Sequence, residues 1–432
     1  MTTTAELLAR LERAQPLIKQ RDTYYRGRQP LRFLTDRLSP VMGFRSNLAE
    51  VAVTAVAERI HLEDVTAQLS INGVDLDVTD RARELVQQSD FPMVLQALVT
   101  DMLAVGSAYL LVWVDGQGRP AVTGESAEHM AVTRDPVTGA VTAAVKRWQV
   151  LNAAGVLLEE HVIKYGPRRI VHLVRDDTHG RLKFVRSLDN PLGVVPVVPL
   201  VNLKRLGDDV GASVIDPLAP LLDALNKLIV DMLTTSESVA RPKRYATGVT
   251  LEDDGDGFMA DDGFSADLTA LDDDGDGAGV TSPFRDSDDL WISEQAEAKF
   301  GQLAGADLSG YKTAVDLIIQ QIMAVTSLPG HMVGVTTGNP STAEALRASE
   351  VALSDTATSR IRVINRPVEW AARLLVALDY GVSPEQVRAR LKWAPTVTRS
   401  IAQEADAAVK LAGEQIITGA EARETIGAED NL

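Results

Sequence analysis

The chain has 432 residues, 45% hydrophobic and 24% charged, with no cysteine and a formal net charge of −17. That length predicts two or more domains, and no apolar run is long enough to span a bilayer. The missing cysteines exclude disulfides, thiolate zinc sites and cysteine nucleophiles, and the acidic balance predicts that any contact with DNA is weak, local or sliding.

The first residues have no basic start and no apolar h-region, so no signal peptide is expected. Residues 4–26 predict an amphipathic helix, with Leu7, Leu8, Leu11, Ala14 and Leu17 at helical spacing and Gly27 as its stop. Further helices are expected at 47–59, with Val51, Ala52, Ala55, Val56 and Ile60 in one stripe, at 79–88, and at 92–105, where Pro92 suits a first turn. At Gly106 the period changes to two. Residues 108–115 predict a strand that opens an antiparallel meander continued by 128–133, 140–150, 156–164, 169–175 and 181–187. Residues 193–202, GVVPVVPLVN, predict extended chain whose prolines bar a regular central strand.

A helix is expected at 216–240, with Asp216 as N-cap and Pro217 in its first position. Residues 241–300 then carry sixteen Asp and Glu against five Lys and Arg, most of the chain's net negative charge. Another helix is expected at 308–325, then a Gly/Thr/Pro-rich loop at 326–341. A long helix follows at 341–378, with Ser341 as cap and Glu344 at the capping-box position. Leu346, Leu353, Ala357, Ile361, Ile364, Val368, Ala371 and Leu375 form its stripe; it would span about 55 Å, and Pro367 predicts a kink. Short helices are expected at about 383–390, 398–413 and 418–426.

Two acidic loops, LEDDGDG at 251–257 and LDDDGDG at 271–277, suggest calcium. A calcium loop needs ligands at positions 1, 3 and 5, glycine at 6 and a bidentate Glu at 12. Asp272, Asp274, Asp276 and Gly277 satisfy the first half, but position 12 is Pro283; counted from Glu252, Asp254, Asp256 and Gly257 fit, but position 12 is Gly263. Solvated acidic turns are the reading that remains, with no metal and no cofactor expected. No phosphate-cradling Gly-x-x-x-x-Gly-Lys-Ser/Thr loop and no His-Glu-x-x-His occurs, and no two of the six histidines lie at i,i+4. GASVI at 211–215 lacks the second glycine of a nucleophile elbow. The basic cluster RPKRYATG at 241–248 reads either as cations favouring a helix C-terminus or as a phosphate contact.

Several stretches taken together carry a resemblance. YYRGRQPLRF (24–33) and SNLAEVAVTAVAERI (46–60) are followed by GSAYLLVWVDGQGRP (106–120). NLKRLGDDVGASVIDPLAPLLDALNKLIVDM (202–232), STAEALRASEVAL (341–353) and DAAVKLAGEQIITGAEARETIG (406–427) come after them. In this order and spacing the chain resembles the portal proteins of long-tailed double-stranded DNA bacteriophages, from about residue 5 to 427. The resemblance implies an α+β subunit of a ring of about a dozen copies, set at one capsid vertex around a DNA channel. It implies a wing at 1–215, stem helices at 216–240 and 308–325, a clip at 241–307, a tunnel loop at 326–340, a long kinked wing helix at 341–382 and a helical crown at 383–432. His331, Val333, Val335 and Asn339 become tunnel-loop candidates. Arg241, Lys243, Arg244, Asp254, Asp256, Asp274 and Asp276 become docking candidates in the clip. The implied partners are copies of the chain, double-stranded DNA, the terminase large subunit, the head–tail adaptor, and the major capsid protein and scaffold, with no membrane. The implied place is the virion, after assembly in the host cytoplasm. The family's motor is a separate ATPase, so the chain itself is expected to be no enzyme. An acidic ring also suits sliding, because every basic phosphate contact would add a salt-sensitive grip. The alternative is a cytoplasmic enzyme or an acidic-loop metal-binding protein, which predicts a small oligomer; for another virion structural protein, the length and helix order fit less well.

Overall fold

A computed structural model describes residues 3–31, 44–175, 180–205, 211–240, 244–247, 299–302, 308–335, 343–397, 401–413 and 418. The chain divides into two compact units, Met1–Leu228 with Thr313–Leu432, and Ile229–Lys312.

The first unit opens on helix α1, Thr4–Tyr25. Thr3 and Glu6 form a reciprocal capping box at its start. At its end Gly27 (φ +62°) turns the chain left-handed, and Arg28 N–H donates to Thr23 O at 2.8 Å. The buried stripe is Leu7, Leu11 and Ile18; Leu17, expected on it, is 39% exposed. The reason is geometric: at 3.6 residues per turn the face that starts at Leu7 returns at 11 and 18. Leu7 and Leu11 pack on Ala131, Ala143, Val145 and Val162 of a five-stranded sheet. That sheet is the expected meander, in the order β5 (Met130–Arg134), β6 (Val141–Leu151), β7 (Leu157–Tyr165), β8 (Arg169–Arg175), β9 (Lys183–Asp189).

The strand expected to open the meander does not belong to it. β3 (Ser107–Val114) pairs with β4 (Pro120–Ser126) and β10 (Val197–Val201) in a separate sheet. β10 holds Pro199 opposite Tyr109 and is an edge strand, where a missing N–H is tolerated. Behind this sheet stands α4 (Phe91–Val105), with Pro92 in its first turn as expected.

A third sheet was not foreseen. β1 (Leu62–Ile71) lies between β2 (Val74–Asp77) and β13 (Val387–Trp393). The helix expected at 383–390 is one 3-10 turn, Pro384–Gln386, followed by β13, which runs antiparallel to β1 from Leu69↔Val387 to Leu62↔Trp393. The deciding signal is period two: Val387 and Ala389 are buried while Arg388, Arg390 and Lys392 are exposed. α2 (Leu48–Ala57) and α3 (Thr79–Gln88) complete this part, close to the expected spans.

α7 runs from Ala343 to Tyr380 without interruption through Pro367. Proline deprives the Val363 carbonyl of its helical donor. Two residues before the proline, Asn365 Nδ2 donates to Glu369 (2.9 Å) and Asn365 Oδ1 accepts from Trp393 Nε1 (2.7 Å), so β13 is tied to the helix beside the proline. Ser341 lies outside the described residues. α8, Ile401–Gly413, agrees with the expected 398–413, and the helix expected at 418–426 falls outside the description but for residue 418.

One junction gathers the chain. Arg21 of α1 is 6% exposed; its Nε and Nη2 donate to the two Asp216 oxygens, each at 2.8 Å, and its Nη1 donates to Val105 O at 2.6 Å and Gly211 O at 3.3 Å. Gly106 (φ +101°) and Gly211 (φ +79°) meet there backbone to backbone, and a Cβ on Gly211 would sit 2.0 Å from Gly106 O. Asn202 N–H donates to Gly106 O, and its side chain donates to Ala212 O at 2.6 Å. Asp216 accepts from Ser213 N–H and pairs with Arg21, but the following helix, α5, begins only at Ala219 and runs to Ala240. The expected cap is therefore spent on the junction.

In the second unit, Thr235 of α5 and Tyr311 of α6 (Ser309–Thr326) share a hydroxyl hydrogen bond of 3.1 Å. β11 (Arg244–Thr247) and β12 (Lys299–Gln302) form an antiparallel ribbon.

Candidate functional site

The segment expected as a Gly/Pro loop between α6 and α7 begins as an ordered turn. Thr326 closes α6 by donating to Ile322 O, Ser327 takes φ 60°, and Leu328 and Pro329 are buried. Gly330–Val333 form a 3-10 turn, Gly334 adopts φ 76°, and Val335 N–H returns to Gly330 O at 2.9 Å. At Gly330 the backbones approach closely: a Cβ there would lie 3.1 Å from Val335 O, tighter than an ordinary contact. His331 is exposed, and Val333 and Val335 are half-buried. Asn339 lies outside the described residues.

His331 does not stand alone. Its Nε2 is 3.3 Å from Glu350 Oε1, in the early turns of α7, and Arg59 Nη2 at the end of α2 donates to Glu350 Oε2 at 3.0 Å. One carboxylate thus joins the turn to two helices. Its side chain is 18% exposed, so the Arg59 contact is shielded from water. No local pattern pointed to Arg59 or Glu350, because they come together only across distant chain. The ring of His331, a tunnel-loop candidate, is turned to a carboxylate.

Of the clip candidates, Arg241, Lys243, Asp254, Asp256, Asp274 and Asp276, with both acidic loops, lie outside the described residues. Arg244 starts β11, with its backbone opposite Gln302. Among the described residues no group of three or more His, Asp or Glu could hold a metal ion.

The other chemical candidates resolve into structure. Ser213 of the GASVI stretch is fully buried; its Oγ donates to Ala104 O and accepts from Ile215 N–H at 2.9 Å, so it braces the junction instead of facing a substrate. His161 and His172, read singly from the sequence, are neighbours on β7 and β8: Nδ1 and Nε2 are 3.1 Å apart and both rings stack with Trp148. Burial first, then the neighbouring His161 and Arg186, hold His172 below the usual imidazole range. The opposite face of the same sheet buries Glu160 between Arg175 and Arg147.

Set beside known proteins, the sequence pattern described as phage portal protein, SPP1 Gp6-like, matches residues 5–431. The chain belongs to that family. The portal protein of Mycobacterium phage L5 is 26% identical over 376 residues, 82% of this chain and 71% of that protein. The portal protein of Mycobacterium phage D29 is 32% identical over 245 residues, 55% of this chain and 46% of its own length. Among solved structures, a chain in the virion of a native gene transfer agent particle has 15% identity and a TM-score of 0.47, covering 95% of this chain and 93% of that one. The chain therefore serves as a phage portal protein, a virion component, and its fold is a mixture of helices and antiparallel sheets.

Proposed function

We propose that copies of this chain close into a ring at one capsid vertex and form the channel through which double-stranded DNA is packaged and ejected, without catalysing a reaction. The observation that carries this is the family match along nearly the whole chain, residues 5–431. The compact division supports the layout. The unit Ile229–Lys312 holds the distal parts of α5 and α6 and the β11–β12 ribbon, which suits stem and clip. The larger unit holds the three sheets and α7, which suits the wing. Under this reading the turn at 330–335 opens the tunnel loop, and His331, Val333, Val335 and Asn339 face passing DNA. Arg241, Lys243, Arg244 and the Asp254, Asp256, Asp274 and Asp276 loops dock the terminase large subunit and then the head–tail adaptor. The major capsid protein and scaffold hold the wing, α7 bends at Pro367, and assembly takes place in the host cytoplasm.

Two measurements test it. Negative-stain microscopy with a solution mass should show rings of about a dozen copies with a central hole; a monomer or small oligomer under assembly conditions argues against the conduit. Deleting 331–338 should abolish DNA packaging while leaving the ring intact; unchanged packaging removes the tunnel role.

A further inference from the structure

Among the described residues the three-stranded sheet ends at β13 on one side and β2 on the other, and these two edges differ in charge. On β13, Arg388, Arg390 and Lys392 project from one face. On β2, Val74-Asp75-Leu76-Asp77, every residue is exposed, Val74 at 60% and Leu76 at 47%. Gln68 of β1 stands opposite both Asp77 and Arg388, and Ser70 stands opposite Asp75, so the aspartates and arginines share one face. Leu76 and Val74 lie on the other face, beside Leu69 and Ile71, uncovered at the rim.

Exposed edges normally carry a guard against further pairing. The arginines guard β13, but an acidic strand would turn that guard into an attraction. Space is available: a cleft of about 850 Å³ runs beside Arg388, Ala389 and Arg390, walled by Arg366 and Trp370 of α7 and Pro199 of β10. The acidic edge is presented by a hairpin whose turn, Asn72-Gly73, has positive φ at both residues and open space around Gly73. Within one copy Arg388 reaches across β1 to Asp75 at 4.0 Å, a weak version of the same attraction.

We propose that the β2 edge of one copy lies against the β13 edge of the next, extending the sheet from copy to copy. β2 and β13 are each antiparallel to β1, so a head-to-tail repeat joins them in parallel. The inference rests on the ring reading, since unlike edges make a contact that repeats instead of closing as a pair. Copies of a chain carrying −17 repel one another, and this contact sets opposite charges face to face. Asp75 and Asp77 are two residues apart, as are Arg388 and Arg390, about 7 Å in each case, so both pairs meet in one register. Backbone bonds and cover for Val74 and Leu76 supply the contact, and the charges select its direction.

The chain has no cysteine, so an introduced pair can be read without background. Asp75→Cys/Arg388→Cys, opposite one another in that parallel register, assembled and mildly oxidised, should give a ladder of covalent multimers on a non-reducing denaturing gel. Within one copy β1 lies between the two positions, which are also two residues out of line, so they are about 12 Å apart, beyond disulfide reach. Dimers only, or no cross-link in particles that are rings of normal size, overturn the inference and leave the ring reading standing. A chain that forms no large particle in any form overturns both. As a second measurement, Asp75→Arg should weaken assembly about tenfold and Arg388→Asp in the same chain should recover most of the loss; a double variant as weak as the single one counts against the contact.

Discussion

Two places in the larger unit fasten a loop to its surroundings with charged groups, and they do it differently. At the Arg21 junction the guanidinium is almost wholly buried and donates to Asp216, Val105 O and Gly211 O, backbone bonds of Asn202 and Ser213 add to these, and two glycines lie too close for a side chain on either. At the turn before α7 the backbone bonds are all local, within 329–335, and one shared carboxylate ties the turn to the helices, with the His331 side chain 35% exposed. The first arrangement has no low-energy alternative, because displacing any part strands a buried polar group. The second can release His331 to water at little cost. Redundant, buried bonding sits where strands and helices far apart in sequence must cross; a single latch sits where a segment is proposed to work against DNA.

Substitutions separate the two, and the largest effect belongs to the glycine pair. Gly211→Ala should leave no soluble folded protein, or cost about 4 kcal/mol or more, read from expression and thermal melting; a stable variant would mean that the backbones are not in contact. Arg21→Met should cost about 3–5 kcal/mol in a urea titration, since it leaves Asp216 unpaired and two carbonyls without donors. Glu350→Gln should cost about 1–2 kcal/mol by the same titration, because Arg59 keeps a hydrogen-bond acceptor but loses a charge. His331→Ala should change stability by less than about 0.5 kcal/mol and still lower the yield of packaged DNA. A large stability loss at His331, or a small one at Arg21, would erase the distinction.

Much of the fold was readable from local pattern. The meander announced itself by alternation, α4 by Pro92, and α1 by its leucines and Gly27. What failed has a common cause. In β1 the core positions are Val65, Ala67 and Leu69, two of them small or β-branched, set among charged neighbours that blur the alternation. β13 mixes arginine, alanine and leucine, residues that favour helix in isolation, and only its pairing with β1 makes it a strand. Asp216 carried the right local chemistry for a cap, but a buried Arg21 claimed it. At the candidate site, Gly330, Gly334 and Pro329 marked where a turn must fall, while Arg59 and Glu350 were invisible because nothing in either segment refers to the other. The charge contrast between β2 and β13 was likewise legible only after the sheet order was in hand.

The Arg21 junction also bears on how the chain is made. Its partners lie between 84 and 195 residues further along. During synthesis at about 5–20 residues per second, α1 waits roughly 10–40 s after it emerges before Asp216 exists. For that interval Arg21 has no carboxylate to pair with, whereas Leu7 and Leu11 gain their cover earlier, once the strands carrying Ala131 to Val162 are made, so the helix can dock on the sheet before its buried cation is paired.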